Sequence, residues 1–271
     1  MTATLTRRAW TTDLEIEILN KLVDKYAPHL PKTRLHDPRP IQTQAELDNF
    51  IRFRIGGAAH DLYIVQVCAK AIDQIADPDL QLFLSRQIGD DGAHAQHTRQ
   101  RVLALTGHDP IDRIGQQVQK HWDYMGSLPF RNWQGFLAFE LHYELYIVAQ
   151  LLLNSRTTRI NDLESAKFGV ETIIPDEAAH RLGVVAWWQR KYDRASPAEK
   201  ADLVAQVLAA DEEGQRRRNP YLKEHWQIVH QALGCELEAL PVVYDAWRRE
   251  VLSYLLDIPV SQLPQLVSVN D

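Results

Sequence analysis

Two short stretches of the 271-residue chain set a carboxylate and a histidine three residues apart in apolar surroundings: "PDEAAHRLG" at 175–183, with Glu177 and His180, and "DDGAH" at 90–94, with Asp91 and His94. On a helix, residues three apart share a face. Each pair could therefore aim one oxygen and one imidazole nitrogen at a common point. Further carboxylates interrupt apolar runs elsewhere. Glu140 and Glu144 lie one turn apart in the run Trp133, Phe136, Leu137, Ile147, Val148, Leu151, and Asp61 adjoins His60 in a third segment. Oxygen ligands with about one imidazole each suit iron or manganese better than structural zinc.

Helices must carry these groups. Thr43 with Glu46 forms a capping box that opens a helix over about 44–76. Asp77-Pro78 stops it and starts a second, which Gly107 ends near Leu105. A shorter helix over 111–125 leads to Gly126-Ser127, and a third long helix spans about 130–154. Asn161 with Glu164 signals a fourth, running to Arg194 with Pro175 inside it as an expected kink. Ser196 and Glu199 cap a fifth, and two more are expected near 220–233 and 238–256. No strand-like alternation or solenoid-length repeat runs for long. The expectation is an all-α protein with an N-terminal arm (1–42), a four-helix bundle (43–195) and C-terminal helices packed on it (196–271).

The apolar stripes show where the carboxylates point. The second helix reads Leu80, Leu84, Ile88, Asp91, Ala95, Val102, Leu105, and the fourth reads Leu163, Val170, Ile174, Glu177, Val184, Trp188. A buried ionised carboxylate costs several kcal/mol unless it is paired or metal-bound, and few inward-facing Lys or Arg are evident. A shared cation accounts for all three helices. Counting residues from the turns, at about 1.5 Å of rise each, sets Asp61 level with Asp91 and Glu144 nearly level with Glu177. Glu140 matches better by the same count, but helix ends read from sequence shift by a few residues, so the choice between it and Glu144 is open, as is that between Asp61 and His60.

A carboxylate on one helix and carboxylate-x-x-His on the next, repeated over two helix pairs, resembles the ferritin-like di-iron carboxylate proteins. "DEAAH" is similar to the family's Glu-x-x-His helix, and "DDGAH" to its partner with Asp in place of Glu. The first helix departs from the pattern, offering Asp61 where the family has Glu. Over residues 44–194 the resemblance implies metal ligands Asp61, Asp91, His94, Glu144, Glu177 and His180, with His60 and Glu140 as alternative or supporting groups. It implies two iron ions (or Mn/Fe, or Mn) and an O₂-dependent oxidase or oxygenase. The substrate would be a small organic molecule and the electron donor external, because nothing resembles a flavin or nicotinamide site. Hydroxylation, N-oxygenation and desaturation are all open. Rival readings are a heme-oxygenase-like di-metal oxidase (where a further His would stand at Ile173), a ferritin-type iron store and a metal-free partner subunit.

Other features read as structure. His97, His108, His121 and His142 are expected to be ordinary histidines, and Trp187 and Trp188 core or interface aromatics. Gly89 and Gly92 suit close helix approach or plain tolerance. The net charge of −6 argues against nucleic acid or an anionic membrane surface. The run Arg216-Arg217-Arg218 follows Asp211, Glu212 and Glu213, which reads as a self-paired, solvated face. No apolar stretch is long enough to span a bilayer, no secretory h-region follows Met1, and Cys68 and Cys235 fit no redox or zinc spacing. A cytoplasmic protein is expected, and a homodimer is compatible with the chain.

Overall fold

A computed structural model describes residues 8–26, 39–149, 160–234 and 237–271. The protein is all-α. Its helices are α1 (Thr12–Tyr26), α2 (Gln44–Gln74), α3 (Pro78–Thr106), α4 (Ile111–Met125), α5 (Leu128–Arg131), α6 (Trp133–Glu140), α7 (Leu163–Phe168), α8 (Ile174–Arg194), α9 (Pro197–Leu233) and α10 (Ala239–Leu256). Two π-helical turns, Leu141–Leu145 and Gly169–Ile173, follow α6 and α7 directly. Arg39–Pro40 pairs in parallel with Ile160–Asn161 as a two-residue bridge. The expected extension of the third long helix to Asn154, with Leu151, lies outside the described residues, as do Cys235 and the prolines at 28, 31 and 38. No helix among the described residues is long and apolar enough to cross a membrane.

The caps fall where side-chain chemistry puts them. Thr43 and Glu46 bond reciprocally at the start of α2, Ser196 and Glu199 do so at α9, and Asp77 accepts from the Asp79 and Leu80 amides at α3. Gly107 takes the left-handed conformation, φ 72°, that closes α3. The α2–α3 hairpin is antiparallel. The Arg54 guanidinium donates to Thr98 Oγ1 at 2.7 Å, in the same register that sets Asp61 level with Asp91.

Four boundaries differ from expectation, each for a local reason. The helix expected from Phe130 begins at Trp133, because Asn132 is extended and its side chain caps Gly135 N at 2.8 Å. Asp162, not Asn161, caps α7, accepting from Ser165 N at 3.0 Å. Pro175 does not interrupt a continuous α-helix. Its ring and missing N–H would disturb the preceding turn, and here that turn is the π segment Gly169–Ile173, after which Pro175 sits at the start of α8. Pro220 does not start a new helix either, since α9 runs through it for 37 residues.

The first π turn widens the helix around Glu144, and the second shifts the face of α7 relative to α8. Leu163, Val170 and Ile174, expected inward, are accordingly 60%, 65% and 51% exposed, whereas Val184 and Trp188 are buried. Close helix approach near the carboxylates occurs at Gly183, where a Cβ would lie 2.2 Å from the Phe83 ring; at Gly89 and Gly92 a Cβ would meet nothing within 4 Å. Trp187, Trp188 and Cys68 are buried, as core residues should be.

Within the segment read as an arm, α1 buries Leu14, Leu19, Leu22 and Val23. Its Glu15 forms a bidentate pair with Arg181 of α8, both oxygens accepting at 2.9 Å, and also accepts from Trp10 Nε1. Arg181 is thus an inward-facing cation that the sequence pattern did not reveal. Glu15 and Arg181 are 2% and 6% exposed, so removing one partner strands the other's charge. Glu15→Ala is expected to destabilise the fold by about 3–5 kcal/mol, read from urea unfolding. A loss below about 1 kcal/mol would show that α1 is not anchored through this pair.

Candidate metal centre

The two carboxylate-x-x-His motifs meet across the antiparallel α3–α8 pair. Ligand atoms of Asp91, His94 and Glu177 lie within 4.8 Å of one another, as do those of Asp91, Glu144 and His180. The two triads share Asp91. Glu177 also reaches toward both, with one oxygen 3.7 Å from His94 Nδ1 and the other 4.0 Å from His180 Nδ1. Asp91, His94, Glu144 and His180 are fully buried and Glu177 is 4% exposed.

The outer ring nitrogens are held reciprocally. His94 Nε2 donates to Asp176 Oδ2 and His180 Nε2 donates to Asp90 Oδ2, both at 3.1 Å. Asp176 immediately precedes Glu177, and Asp90 immediately precedes Asp91. Each motif therefore supplies a carboxylate to the cluster and, one residue earlier, the carboxylate that orients the opposite motif's histidine. A bond at Nε2 fixes the tautomer that turns an Nδ1 lone pair inward.

The inward atoms lack partners. Asp91 Oδ1 and Oδ2, His94 Nδ1, Glu144 Oε2, Glu177 Oε2 and His180 Nδ1 are all buried without a hydrogen bond. Buried polar atoms are rarely left so, and six converging in one place match what a cation site needs. No Lys or Arg among the described residues lies within ion-pair distance of Asp91, Glu140, Glu144 or Glu177. The donor set fits a divalent cation in each triad.

Glu144, rather than Glu140, joins the cluster. The π turn carries Glu144 into it, where Gln87 Nε2 donates to Glu144 Oε1 at 2.8 Å. Glu140, one turn earlier, accepts from Cys68 Sγ at 3.7 Å and from Gln87 Nε2 at 3.4 Å. Asp61 is in neither triad. It lines an adjoining cavity of about 130 Å³ together with His60, Arg54, Arg218 and Glu177. His60 Nε2 bonds the Tyr143 carbonyl at 3.1 Å. Among the histidines read as ordinary, His142 bonds the Asp211 carbonyl at 3.0 Å and His121 pairs with the Tyr143 hydroxyl at 2.9 Å. Arg218 departs from the solvated face expected of its run: it is 3% exposed and lies over the Tyr143 ring.

Searches of protein-family models, of curated proteins and of solved structures find no match to this chain. Three supporting groups escaped the sequence reading. Asp90 and Asp176 carried a legible signal, because each doubles the acidic residue of its motif. Gln87, a turn before Asp91, carried none.

Without a cation, protons take over part of the charge. Burial, and then the neighbouring Glu144 and Glu177 charges, push Asp91 well up; burial and Glu144 do the same to Glu177. Burial raises Asp61 to about 8, against the pull of Arg54. Burial also disfavours the charged forms of Glu144 and His180, but their mutual attraction prevails, lowering Glu144 and raising His180. Carboxyls with raised folded-state values stabilise fully below their unfolded pKa and lose that contribution as pH rises to the folded value. Buried neutral histidines such as His60, held near 3, and His225, near 4, act oppositely, but their contribution is complete once pH passes about 6.5. Metal-free protein is therefore expected to lose stability between about pH 6.5 and 8, by about 1–2 kcal/mol per carboxyl, in denaturant titrations. Asp61→Asn should flatten part of that slope. Stability that is level or rising over this window would contradict the protonated cluster.

Proposed function

We propose that the protein is a ferritin-like, O₂-dependent non-heme di-iron oxidase or oxygenase acting on a small organic substrate. The observation that carries this reading is the pair of triads sharing Asp91, with six inward ligand atoms unpartnered and both outer imidazole nitrogens tied down. One ion would be held by Asp91, His94 and Glu177. The other would be held by Asp91, Glu144 and His180, with Glu177 in reach of both and Asp61 facing the adjoining cavity. Iron in these positions, with manganese as the alternative occupant, would supply the electrons and Lewis acidity for O₂ reduction and substrate oxidation.

The chain's own residues prepare that chemistry. Asp176 and Asp90 orient the two imidazoles and hold the proton at Nε2, and their acceptor oxygens raise ligand basicity. Gln87 fixes one oxygen of Glu144 and leaves the other, Oε2, facing the cluster. The core packing that buries Asp91, Glu144, Glu177 and both histidines excludes bulk water, which strengthens every charge interaction there. The cavity beside Glu177 and Asp61 offers a substrate a close approach to the cluster.

Glu177 separates this reading from a structural one. Glu177→Ala is expected to reduce bound metal sharply and to abolish O₂ consumption by the Fe(II)-loaded protein. The metal-free variant should at the same time become more stable, because one of several crowded buried carboxyls is gone. Metal content by plasma emission, O₂ uptake by electrode and thermal midpoint read the three effects. Unchanged metal content would sink the assignment of Glu177. Asp90→Asn is expected to weaken metal affinity by roughly 10–100-fold with little change in fold. Affinity equal to the unaltered chain would remove Asp90 from the site.

A further inference from the structure

The cavity beside the carboxylate cluster carries positive charge that the cluster does not use. Arg218 of α9 is 3% exposed and lines this cavity. Its guanidinium carbon sits 4.0 Å above the Tyr143 ring centre, so the flat face of the group is satisfied by stacking. Its N–H groups are not: Nε and Nη1, on opposite sides of the guanidinium, are buried without an acceptor. Arg54, across the cavity on α2, donates one N–H to Thr98 and leaves its Nε buried and unpaired. Neither arginine is within ion-pair distance of a carboxylate among the described residues.

A stacked arginine needs no anion to stay in place, but stacking does nothing for in-plane N–H groups. Nε and Nη1 do not share an edge, as Nε and Nη2 of Arg181 do on Glu15, so each could take a single carboxylate oxygen in a charge-assisted bond. Asp61 and Glu177 also line the cavity. Glu177 belongs to a triad and Asp61 to neither, so the two arginines outnumber the one carboxylate that faces only the cavity. Phe53, Ile147, Ile173 and Tyr221 give the wall an apolar and aromatic part beside the polar Thr98, His60 and His225, and the volume of about 130 Å³ suits a compact molecule.

We propose that this cavity binds a small organic acid, its carboxylate held by an unpartnered N–H of Arg218 with Arg54 as the second cation, and its apolar body directed toward Glu177. Calling that acid the substrate rests on the oxidase reading above; the binding site itself does not. The ligand's carboxylate is an anchor, so oxidation would fall on the part of the molecule remote from it. Arg218 is then a binding and positioning residue that sets substrate class.

Calorimetric titration of the purified chain with hexanoate and benzoate, and with the neutral hexanamide and benzamide, tests this directly. The acids are expected to bind and the amides to bind roughly tenfold more weakly or worse, the cost of losing a charge-assisted pair. Arg218→Gln should weaken acid binding by a similar factor and leave metal content unchanged. Arg218→Lys, which keeps the charge without the planar guanidinium, should give intermediate affinity and serves if the Gln variant fails to fold. Amides binding as well as acids, acid affinity unaffected by either substitution, inorganic phosphate outcompeting both acids, or no acid binding at millimolar concentration would each overturn the proposal. Metal counted in the same samples separates the two readings. Arg218-dependent acid binding without metal would remove the oxidase and keep the acid site, whereas two metals without acid binding would do the reverse.

Discussion

Crowding of buried carboxylates is the constraint around which this protein is built. Asp91, Glu140, Glu144 and Glu177 occupy one interior region with no lysine or arginine among the described residues paired to them. Such a group is costly to bury with its charge, and protonation relieves the cost only in part. Asp91 and Glu177 are pushed up, yet Glu144 stays low beside His180. A divalent cation in each triad would neutralise the same charge and satisfy the same orphaned atoms. Metal affinity in such a site is coupled to proton release and to the stability of the fold.

The surrounding fold is organised to hold that arrangement. The register of the α2–α3 hairpin brings Asp61 level with Asp91, and Gly183 lets α8 approach α3 at Phe83. The reciprocal bonds from His94 to Asp176 and from His180 to Asp90 tie the two motif helices together at the level of the cluster. The Glu15–Arg181 pair adds α1 to α8 one residue beyond His180. Both π turns fall on the segments that deliver Glu144 and Glu177, where a wider turn re-aims side chains without ending the helix.

What the sequence disclosed follows from how local each signal is. Capping boxes, the Asp77-Pro78 start and the Gly107 stop are set by neighbouring residues, and they landed where side-chain chemistry requires. The all-helical class followed from periodicity. The convergence of Asp91, His94, Glu177 and His180 was legible because each motif lies on one helical face. Glu140 and Glu144 could not be told apart, because a π turn leaves no mark in the hydrophobic pattern. For the same reason the stripe through Leu163, Val170 and Ile174 misled: it assumed one unbroken helical phase into α8, and those residues are exposed. Arg218 read as part of a solvated basic run, because burial over Tyr143 depends on where α9 packs. Asp61 was placed at the right height yet faces the cavity, since height along a helix does not fix direction around it.

The most direct test of this account counts ions. Metal-free protein dialysed anaerobically against Fe(II), and separately against Mn(II), should retain about two ions per chain by the occupancy of two triads, and release protons as they bind. Retention of no more than trace metal after supplementation, with the protein folded, would contradict it and leave the buried carboxylates as protonated core.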